Sequence, residues 1–355
     1  MNTEMKAAIL NKPKSIEIKE IPIPEPKNNE ALLKVHCIGI CGSDVHYYEH
    51  GRIGRYVVEK PIILGHEVSG TVVKVGKDVK NLNVGDRVAV EPGIPCGDCD
   101  YCRSGRYNLC ADVEFMATPP FDGAWSEYVT VKSDFLFKLP DHVSFEEGAL
   151  IEPLSVGFHA MRRGKVGPGD TLLVTGLGPI GLLTIEAAKM FGISEIYGSD
   201  VVAFRRDLAL EMGAKGVIDP SKGSVQDQLK EATGDKAIDV LIETSGNAHA
   251  VSDTINLVKR GGRVVYVGLP TADSIPIDIT SMIDAEIDML GVFRYVNTYA
   301  DAIKSLDHPL VDLKKVITDQ YPLDDIQKAI EVAMTEKEKS IKVMIYPDPA
   351  DLQSN

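Results

Sequence analysis

The pattern of apolar and polar residues changes once along the chain. In about the first 155 residues, short apolar runs alternate with clusters of Gly, Pro, Asn and Asp, which is typical of strands joined by turns. The strands predicted here cover residues 6–10, 31–40, 70–76, 86–92 and 127–132. This part of the chain is therefore predicted to be mainly β.

Between about residues 155 and 292, strand-like and helix-like runs alternate. The predicted strands are 171–175, 195–199, 238–243, 262–268 and 287–293, and the predicted helices are 179–191, 203–214 and a segment near 248–258. Such alternation is typical of a parallel sheet built from βαβ units. The tail, with helices predicted near 298–307 and 323–335 and a strand at 341–347, can join either half.

Length and charge narrow the possible functions. The chain has 355 residues, which favours two domains, and its net charge of −14 disfavours binding to nucleic acid or to anionic lipid. No apolar run approaches the ~18 residues of a membrane span, and the first ten residues lack the pattern of a secretion signal. We therefore expect a folded cytoplasmic protein whose cysteines stay reduced.

All six cysteines lie in the first 110 residues. Four of them, Cys96, Cys99, Cys102 and Cys110, have the spacing CxxCxxCx7C on one short loop. Four thiolates close a tetrahedral shell around zinc and leave no position for a substrate, so a structural zinc site is predicted. An iron–sulfur cluster is the alternative for such closely spaced cysteines.

A second set of candidate metal ligands lies in three motifs, CGSDVH at 41–46, GHE at 65–67 and EP at 152–153. A thiolate, an imidazole and carboxylates suit a catalytic zinc. Because the loop uses four thiols, only Cys41 or Cys37 can add sulfur here, and His, Asp, Glu or water must complete the shell. Cys37 lies in an apolar run and is predicted to pack in the core.

The glycines of GLGPIG, at 176–181, lie directly between a predicted strand and a predicted helix, which is the context of a dinucleotide-binding turn. Asp200 ends the next predicted strand, where an acidic residue binds the ribose hydroxyls of the adenosine. Its charge would repel a 2′-phosphate, which favours NAD over NADP. Arg205 and Arg206 lie just downstream and leave NADP as an alternative.

Nearly the whole chain resembles the zinc-containing medium-chain dehydrogenases and reductases, in particular their polyol dehydrogenase branch. The motifs that carry the resemblance include GICGSDVHYY (39–48), EKPIILGHEVSG (59–70), EEGALIEPLSVG (146–157) and GVFRYVNTY (291–299). The cysteine loop makes the chain similar to microbial members, because animal members lack these cysteines. The resemblance implies an α/β fold, with a doubly wound Rossmann domain at 156–293 and a mainly β, GroES-like zinc catalytic domain formed by 1–155 and 294–355.

The resemblance also implies roles for individual residues. The catalytic metal ligands are Cys41, His66, Glu67 and Glu152, the last directly or through water. Ser43 and His46 form a proton relay, and Glu152 is counted with them as a catalytic residue. The substrate contacts are Tyr47, Phe115, Glu152, Arg294 and Tyr295. The cofactor contacts are Gly176, Gly178, Ile180, Gly181, Asp200, Arg205, Val267, Gly268, Leu269, Val292 and Phe293.

The activity implied by the resemblance is hydride transfer between NAD and a secondary carbinol of a polyol such as sorbitol, xylitol or L-iditol, with one catalytic and one structural zinc in each chain of a homotetramer. Sibling activities on 2,3-butanediol or threonine share the same motifs, and Arg294 favours a polyhydroxylated substrate because its planar fork suits vicinal hydroxyls. A zinc-dependent nucleic-acid-binding module is disfavoured by the acidic balance, and a Rossmann scaffold without catalysis is disfavoured by the presence of Cys41 and His66.

Overall fold

The computed structural model describes residues 3–353 and divides them into two compact units. The first unit consists of the residues up to Glu152 and those from Ile317 onward, and the second of Pro153–Val316. The first boundary between the two units, after Glu152, lies within the long helix Phe145–Arg163.

In the described part of the chain, the strands are β1 Glu4–Lys12, β2 Ser15–Pro22, β3 Glu30–Gly39, β4 Arg52–Ile53, β5 Tyr56–Val57, β6 Ile62–Ile63, β7 Glu67–Val75, β8 Arg87–Val90, β9 Gly93–Ile94, β10 Glu114–Phe115, β11 Tyr128–Lys132, β12 Leu136–Lys138, β13 Thr171–Thr175, β14 Glu195–Ser199, β15 Gly216–Ile218, β16 Val240–Glu243, β17 Arg263–Tyr266, β18 Asp288–Gly291, β19 Ile317–Pro322 and β20 Lys342–Tyr346.

The α-helices are α1 Gly42–His50, α2 Asp100–Arg103, α3 Phe145–Arg163, α4 Pro179–Met190, α5 Ala203–Glu211, α6 Val225–Thr233, α7 Ala248–Asp253, α8 Ile279–Asp284, α9 Tyr299–Ser305, α10 Ile326–Thr335 and α11 Pro349–Gln353. Short 3-10 turns cover Tyr107–Leu109, Ser133–Phe135, Pro220–Lys222, Thr254–Asn256, Leu313–Val316 and Leu323–Asp325.

The first unit is built on a seven-stranded sheet in the order β12-β8-β7-β3-β20-β19, with β11 also paired to β3. Its pairs are antiparallel except for β19 with β20, and β1 pairs with β2 and β6 in a smaller sheet. The fully buried Trp125, Leu33 and Ile38 belong to its apolar core, together with Val343 and Ile345 of β20. The C-terminal segment therefore supplies a central strand of this unit.

The second unit is built on a six-stranded parallel sheet in the order β15-β14-β13-β16-β17-β18. This is the 3-2-1-4-5-6 order of a doubly wound dinucleotide-binding sheet, in which the order of the strands reverses between β13 and β16. Ligands of such sheets bind at the carboxyl ends of the strands next to that reversal. The residues that follow β13, β14 and β16 are therefore placed to form a cofactor site.

The second unit extends further along the chain than the predicted boundary at 293/294. The side chain of Lys189, on α4, donates a hydrogen bond to the carbonyl of Leu310 (2.6 Å), and the backbone of Asp312 donates to the carboxylate of Glu186 (3.4 Å). These contacts hold the segment after α9 against α4, and the compact unit ends at Val316. At the first boundary the units divide after Glu152, close to the predicted position.

Most predicted elements coincide with the observed ones, and those with strong apolar periodicity agree most closely. The strands at 171–175 and 195–199 have the predicted ends. Elements that the pattern missed include β2, β15, β19, α1, α3, α6 and α8. Charged residues are frequent in β2 and α6, and α3 contains a proline, Pro153. Among residues 3–353, no helix is long and apolar enough to cross a bilayer.

Candidate metal and cofactor sites

Three of the predicted metal ligands come together in the first unit. Cys41 precedes the first residue of α1, Glu67 is the first residue of β7, and His66 lies just before it. One potential ligand atom from each of these three residues lies within 4.8 Å of the others. His66 and Glu67 are buried, and Cys41 is half-buried.

A buried carboxylate that was not among the predicted site residues, Asp44, supports this cluster. Asp44 accepts hydrogen bonds from the backbone N–H of Cys41 (2.9 Å) and of Gly65 (3.1 Å), and its Oδ1 lies 3.7 Å from Nδ1 of His66. A carboxylate beside the second ring nitrogen of a histidine ligand fixes the ring orientation and tautomer. The signal in the sequence was an acidic residue three positions after the cysteine, which is where a helix-capping box places it.

The cluster is strongly anionic. Burial lowers the pKa of His66, but the negative charges of Cys41 and Asp44 outweigh this effect and raise the pKa to about 10. Such a site favours a cation, because a buried charge must be paired. Sulfur, imidazole nitrogen and carboxylate oxygen form a donor set typical of catalytic zinc, so these residues fit the metal that the motifs predict.

Glu152 lies outside the three-residue cluster, but its charge acts on it. The side chain is 6% exposed, and its negative charge raises the pKa of His66. Phe115 contacts His66 edge-on, with ring centroids 5.6 Å apart, and Tyr47 is 2% exposed. The first unit thus contains three of the predicted substrate contacts and all four predicted ligands.

The two residues predicted to relay protons lie on α1, near Cys41. Ser43 is half-buried and His46 is exposed, so the pair leads from the buried cluster toward solvent. Partial burial, together with the charge of His50, lowers the pKa of His46 below its ordinary value. His46 is therefore mainly neutral at pH 7 and able to accept a proton.

A buried lysine from the distant strand β20 also reaches the cluster. The ammonium of Lys342 lies 2.7 Å from each carboxylate oxygen of Glu67 and 3.1 Å from the carbonyl oxygen of Ile40. Lys342 is 2% exposed. Its role cannot be read from the sequence, because a lysine in an apolar strand, 275 residues from its partner, belongs to no local motif.

The four loop cysteines form the second metal-sized cluster. The Cys99 and Cys102 sulfurs lie 3.4 Å apart, those of Cys96 and Cys110 3.5 Å apart, and those of Cys96 and Cys102 3.8 Å apart. Tetrahedral zinc with Zn–S bonds of about 2.3 Å requires sulfurs about 3.8 Å apart. Backbone N–H groups of Cys99 and Asp98 lower the pKa of Cys96 to about 7, which favours its thiolate. These residues fit a structural zinc.

The glycine turn of the second unit follows β13 and leads into α4. Gly176 has a φ of 83°, and a Cβ at Gly181 would lie 1.9 Å from the carbonyl oxygen of Gly176. Only glycine permits this close approach, which leaves the N-terminus of α4 open to a pyrophosphate. Gly178 is the N-cap residue of α4, and Ile180 lies in its first turn.

Asp200, directly after β14, is tied to the glycine turn. Its carboxylate accepts hydrogen bonds from the backbone N–H of Leu177 (2.7 Å) and of Val202 (2.9 Å). The guanidinium of Arg205 lies 3.7 Å from the same carboxylate, and that of Arg206 lies 2.9 Å from Asp219. Both arginines therefore have acidic partners, which makes them less available to a 2′-phosphate and favours NAD.

The other predicted cofactor contacts follow β17 and β18. Val267, Gly268 and Leu269 come directly after β17, and Val292 and Phe293 after β18. A Cβ at Gly268 would lie 2.3 Å from the backbone nitrogen of Gly246, so two loops meet closely beyond the strand ends. Leu269 is 75% exposed and Phe293 is 49% exposed.

Two predicted substrate contacts belong to the second unit. Arg294 has a φ of 53°, and its guanidinium lies 4.8 Å from the centroid of the Phe293 ring. Tyr295 is 3% exposed and packs against Tyr299. A left-handed conformation at a residue other than glycine costs free energy, which makes Arg294 a candidate for function.

A further buried acid of the second unit lies at the cofactor edge of the sheet and was not predicted. Glu243 ends β16 and accepts hydrogen bonds from the backbone N–H of Ser245 (2.9 Å) and of Gly246 (3.1 Å). Burial raises the pKa of Glu243 above its ordinary value. These hydrogen bonds hold the loop that follows β16, next to the point where the strand order reverses.

Comparison with known proteins places these sites in a family. Residues 27–141 match the alcohol dehydrogenase GroES-like domain, and residues 179–308 match the zinc-binding dehydrogenase domain. The chain is 47% identical to sorbitol dehydrogenase of Bacillus subtilis over 344 residues, covering 97% of this chain and 98% of that protein. It belongs to the polyol branch of the zinc-containing medium-chain dehydrogenases. This result confirms the family and the fold class, a Rossmann sheet with a GroES-like domain.

Two further relatives support the same family assignment. Human sorbitol dehydrogenase is 44% identical over 345 residues, covering 97% of this chain and 96% of that protein. The crystal structure of 2R,3R-butanediol dehydrogenase from Bacillus subtilis superimposes with a TM-score of 0.89 at 34% identity, covering 97% of this chain and all of that one. The chain is thus a zinc-dependent oxidoreductase of this family, with NAD as its cofactor.

Proposed function

We propose that the enzyme interconverts a polyol, namely sorbitol, xylitol or L-iditol, and its 2-ketose by transferring a hydride to or from NAD. The observation that carries the proposal is the cluster of Cys41, His66 and Glu67. It occurs in a chain that is 47% identical to a sorbitol dehydrogenase over almost its full length.

At the catalytic site, we assign Cys41, His66, Glu67 and Glu152 to holding the zinc, the last directly or through a water molecule. When bound, the zinc polarises the substrate hydroxyl and makes its proton more acidic. Ser43 accepts that proton as it gives up its own hydroxyl proton, and His46, the exposed member of the pair, takes up a proton and releases it to solvent.

For the substrate, we assign Tyr47, Phe115 and Glu152 of the first unit and Arg294 and Tyr295 of the second. Arg294 donates hydrogen bonds from a planar fork, which suits two adjacent hydroxyl groups. The buried aromatic rings present apolar faces to the carbon chain. A polyhydroxylated chain therefore fits these residue types better than a simple alcohol.

For the cofactor, we assign the glycine turn to the pyrophosphate and Asp200 to the adenosine ribose. Ile180, Arg205, Val267, Gly268, Leu269, Val292 and Phe293 make further contacts with NAD. The cysteine loop holds a structural zinc. We also propose that residues 1–152 and 317–355 form the catalytic domain and 153–316 the cofactor domain, and that the enzyme is a cytoplasmic homotetramer.

Oxidation of 2,3-butanediol is the second candidate activity, since the butanediol dehydrogenase structure is 34% identical and superimposes over 97% of this chain. Purified enzyme with NAD should be assayed on sorbitol, xylitol, L-iditol, 2,3-butanediol and threonine. We expect the highest kcat/KM on one of the three polyols. A higher kcat/KM on 2,3-butanediol or threonine would overturn the polyol assignment.

A variant tests the proposed substrate contact. Replacing Arg294 by Leu removes the planar guanidinium group and should raise the KM for the polyol about 10- to 100-fold. The Kd for NAD should stay within about threefold of the wild-type value. Arg103→Leu, on the exposed cysteine loop, is the matched control and should leave both constants unchanged. An unchanged polyol KM in the Arg294 variant would remove Arg294 from the pocket.

A further inference from the structure

Lys342 is a buried cation in contact with a proposed metal ligand. Its ammonium has three N–H donors, and three oxygens lie within hydrogen-bond distance: both carboxylate oxygens of Glu67 and the carbonyl of Ile40. The ammonium and the Glu67 carboxylate form a buried ion pair with an N–O distance of 2.7 Å.

The sheet explains how the two side chains meet. Glu67 lies on β7 and Lys342 on β20, the two strands that flank β3. Gly39 of β3 pairs with Glu67 on one side and with Met344 on the other. A Cβ at Gly39 would lie 2.0 Å from Oε2 of Glu67. The carboxylate therefore lies over a strand position that only glycine leaves open.

The ammonium lies at the same distance, 2.7 Å, from both oxygens of Glu67, and this shows which side of the carboxylate it occupies. A donor at the same distance from both oxygens lies between them, and that is also where a metal ion lies when a carboxylate chelates it. A carboxylate has about four lone-pair sites, so one oxygen still has a lone pair for a metal on another side. Lys342 thus occupies the chelating position of Glu67.

The geometry points to Lys342 as a positioning residue that prevents Glu67 from chelating the catalytic metal and so keeps a coordination position open for the substrate oxygen. Catalytic zinc sites need such an open position, whereas an added ligand oxygen would fill it. This inference rests on the proposed catalytic site of Cys41, His66 and Glu67.

The test compares wild type with Lys342→Met, Lys342→Gln and Lys342→Arg. Met removes the charge and the donors, and Gln is a polar variant for the case in which a buried Met impairs folding. Arg keeps a cation with paired donors that match a carboxylate. Lys34→Met is the matched control, because Lys34 forms an ion pair with Asp348 (2.9 Å) in the same unit, outside the metal cluster.

Metal binding is measured first, without turnover, by titrating the metal-depleted full-length chain with Zn²⁺ in competition with a chelator. If Glu67 becomes a chelating ligand, Lys342→Met and Lys342→Gln should bind the catalytic zinc on the order of tenfold more tightly than wild type. Lys342→Arg and Lys34→Met should match wild type. A residue with a merely structural role would weaken zinc binding or leave it unchanged when removed, and either result would overturn the proposal.

Cobalt at the catalytic site supplies a spectroscopic signature. Visible Co²⁺ bands are several-fold weaker at five- or six-coordinate sites than at four-coordinate sites, so Lys342→Met should weaken them and Lys342→Arg should restore them. Identical spectra in wild type and Lys342→Met would overturn the inference. Wild type holding only one zinc per chain would overturn both this inference and the proposed catalytic site, whereas two zincs with unchanged variants would overturn the inference alone.

Discussion

Tyr107 donates a hydrogen bond of 2.6 Å to the buried carboxyl of Glu91. Tyr107 belongs to the cysteine loop, and Glu91 directly follows β8. Burial and the nearby charge of Glu152 raise the pKa of Glu91 to about 7, although the bond from Tyr107 acts in the opposite direction. This carboxyl therefore titrates near neutral pH, between the cysteine loop and the proposed catalytic site.

Glu91 should make the stability of the first unit depend on pH. Because its pKa is higher in the folded chain than in the unfolded chain, the folded state binds the proton more tightly. The free energy of unfolding therefore falls as the pH rises from about 4.5 to about 7. Glu91→Gln has no carboxyl group to titrate, so its free energy of unfolding should not fall in this way. Relative to wild type, its free energy of unfolding should therefore rise by up to roughly 3 kcal/mol from pH 5 to pH 8.

The measurement for Glu91 is thermal unfolding of the zinc-loaded enzymes at several pH values. The exposed Glu114 provides a matched control, because Glu114→Gln changes the same groups in solvent. A difference between Glu91→Gln and wild type that stays constant from pH 5 to pH 8 would contradict the prediction.

Removing one cysteine from each cluster should separate the two zinc sites. Cys41→Ser and Cys99→Ser should each reduce the zinc content from about two to about one per chain. We expect Cys41→Ser to lose turnover with little change in Tm, because its site serves catalysis. Cys99→Ser should lower the Tm, because a closed structural site contributes to folding.

Metal analysis of the purified variants checks this prediction. Cys37→Ser is the control, since Cys37 is fully buried and belongs to neither cluster, and it should keep about two zincs. Retention of both zincs in Cys99→Ser would remove the cysteine loop as a metal site.

Asp44 should be important for stability as well as for the orientation of His66. Asp44→Ala leaves two backbone N–H groups without their acceptor, the buried one of Gly65 and the partly buried one of Cys41. Each such group costs about 1–3 kcal/mol, so we expect a loss of about 2–4 kcal/mol in denaturant-induced unfolding. Glu49→Ala on the same helix should cost less than about 0.5 kcal/mol, and an equal loss in both variants would count against this role of Asp44.

Asp200 should determine cofactor choice. Asp200→Ala removes the proposed ribose acceptor and frees Arg205 from its acidic partner, so NAD should bind about 10- to 100-fold more weakly and NADP should lose less affinity. Fluorescence titration with each cofactor measures both effects. The exposed Asp207 on α5 is the control, and Asp207→Ala should bind NAD like wild type. An equal loss for NAD and NADP would show that Asp200 acts only on the glycine turn.

The parts of the sites that the sequence predicted are those encoded locally. The cysteine loop and the glycine turn are short segments in which spacing alone determines which atoms converge, and the described structure places them accordingly. The cluster of Cys41, His66 and Glu67 was accessible by counting thiols and by family resemblance. Lys342 and Glu91 were not, because their roles depend on burial and on partners brought close by the sheet and the loop.

The boundary of the second unit illustrates the same limit. Apolar periodicity located α9, but it could not show that the following segment packs on α4 through Lys189 and Glu186. Such contacts are made by single polar atoms, so they do not appear in the pattern of apolar residues along the sequence.

The pairing of Lys342 with Glu67 also has a consequence for biosynthesis. Glu67 leaves the ribosome 275 residues before its cation, and the whole second unit is made in between. Until β20 is translated, β3 lacks a neighbour and the anionic cluster lacks its counter-charge. The proposed catalytic centre therefore cannot be complete before β20 has been synthesised, and a nascent chain halted before β20 would contain the proposed ligands without the lysine that pairs with Glu67.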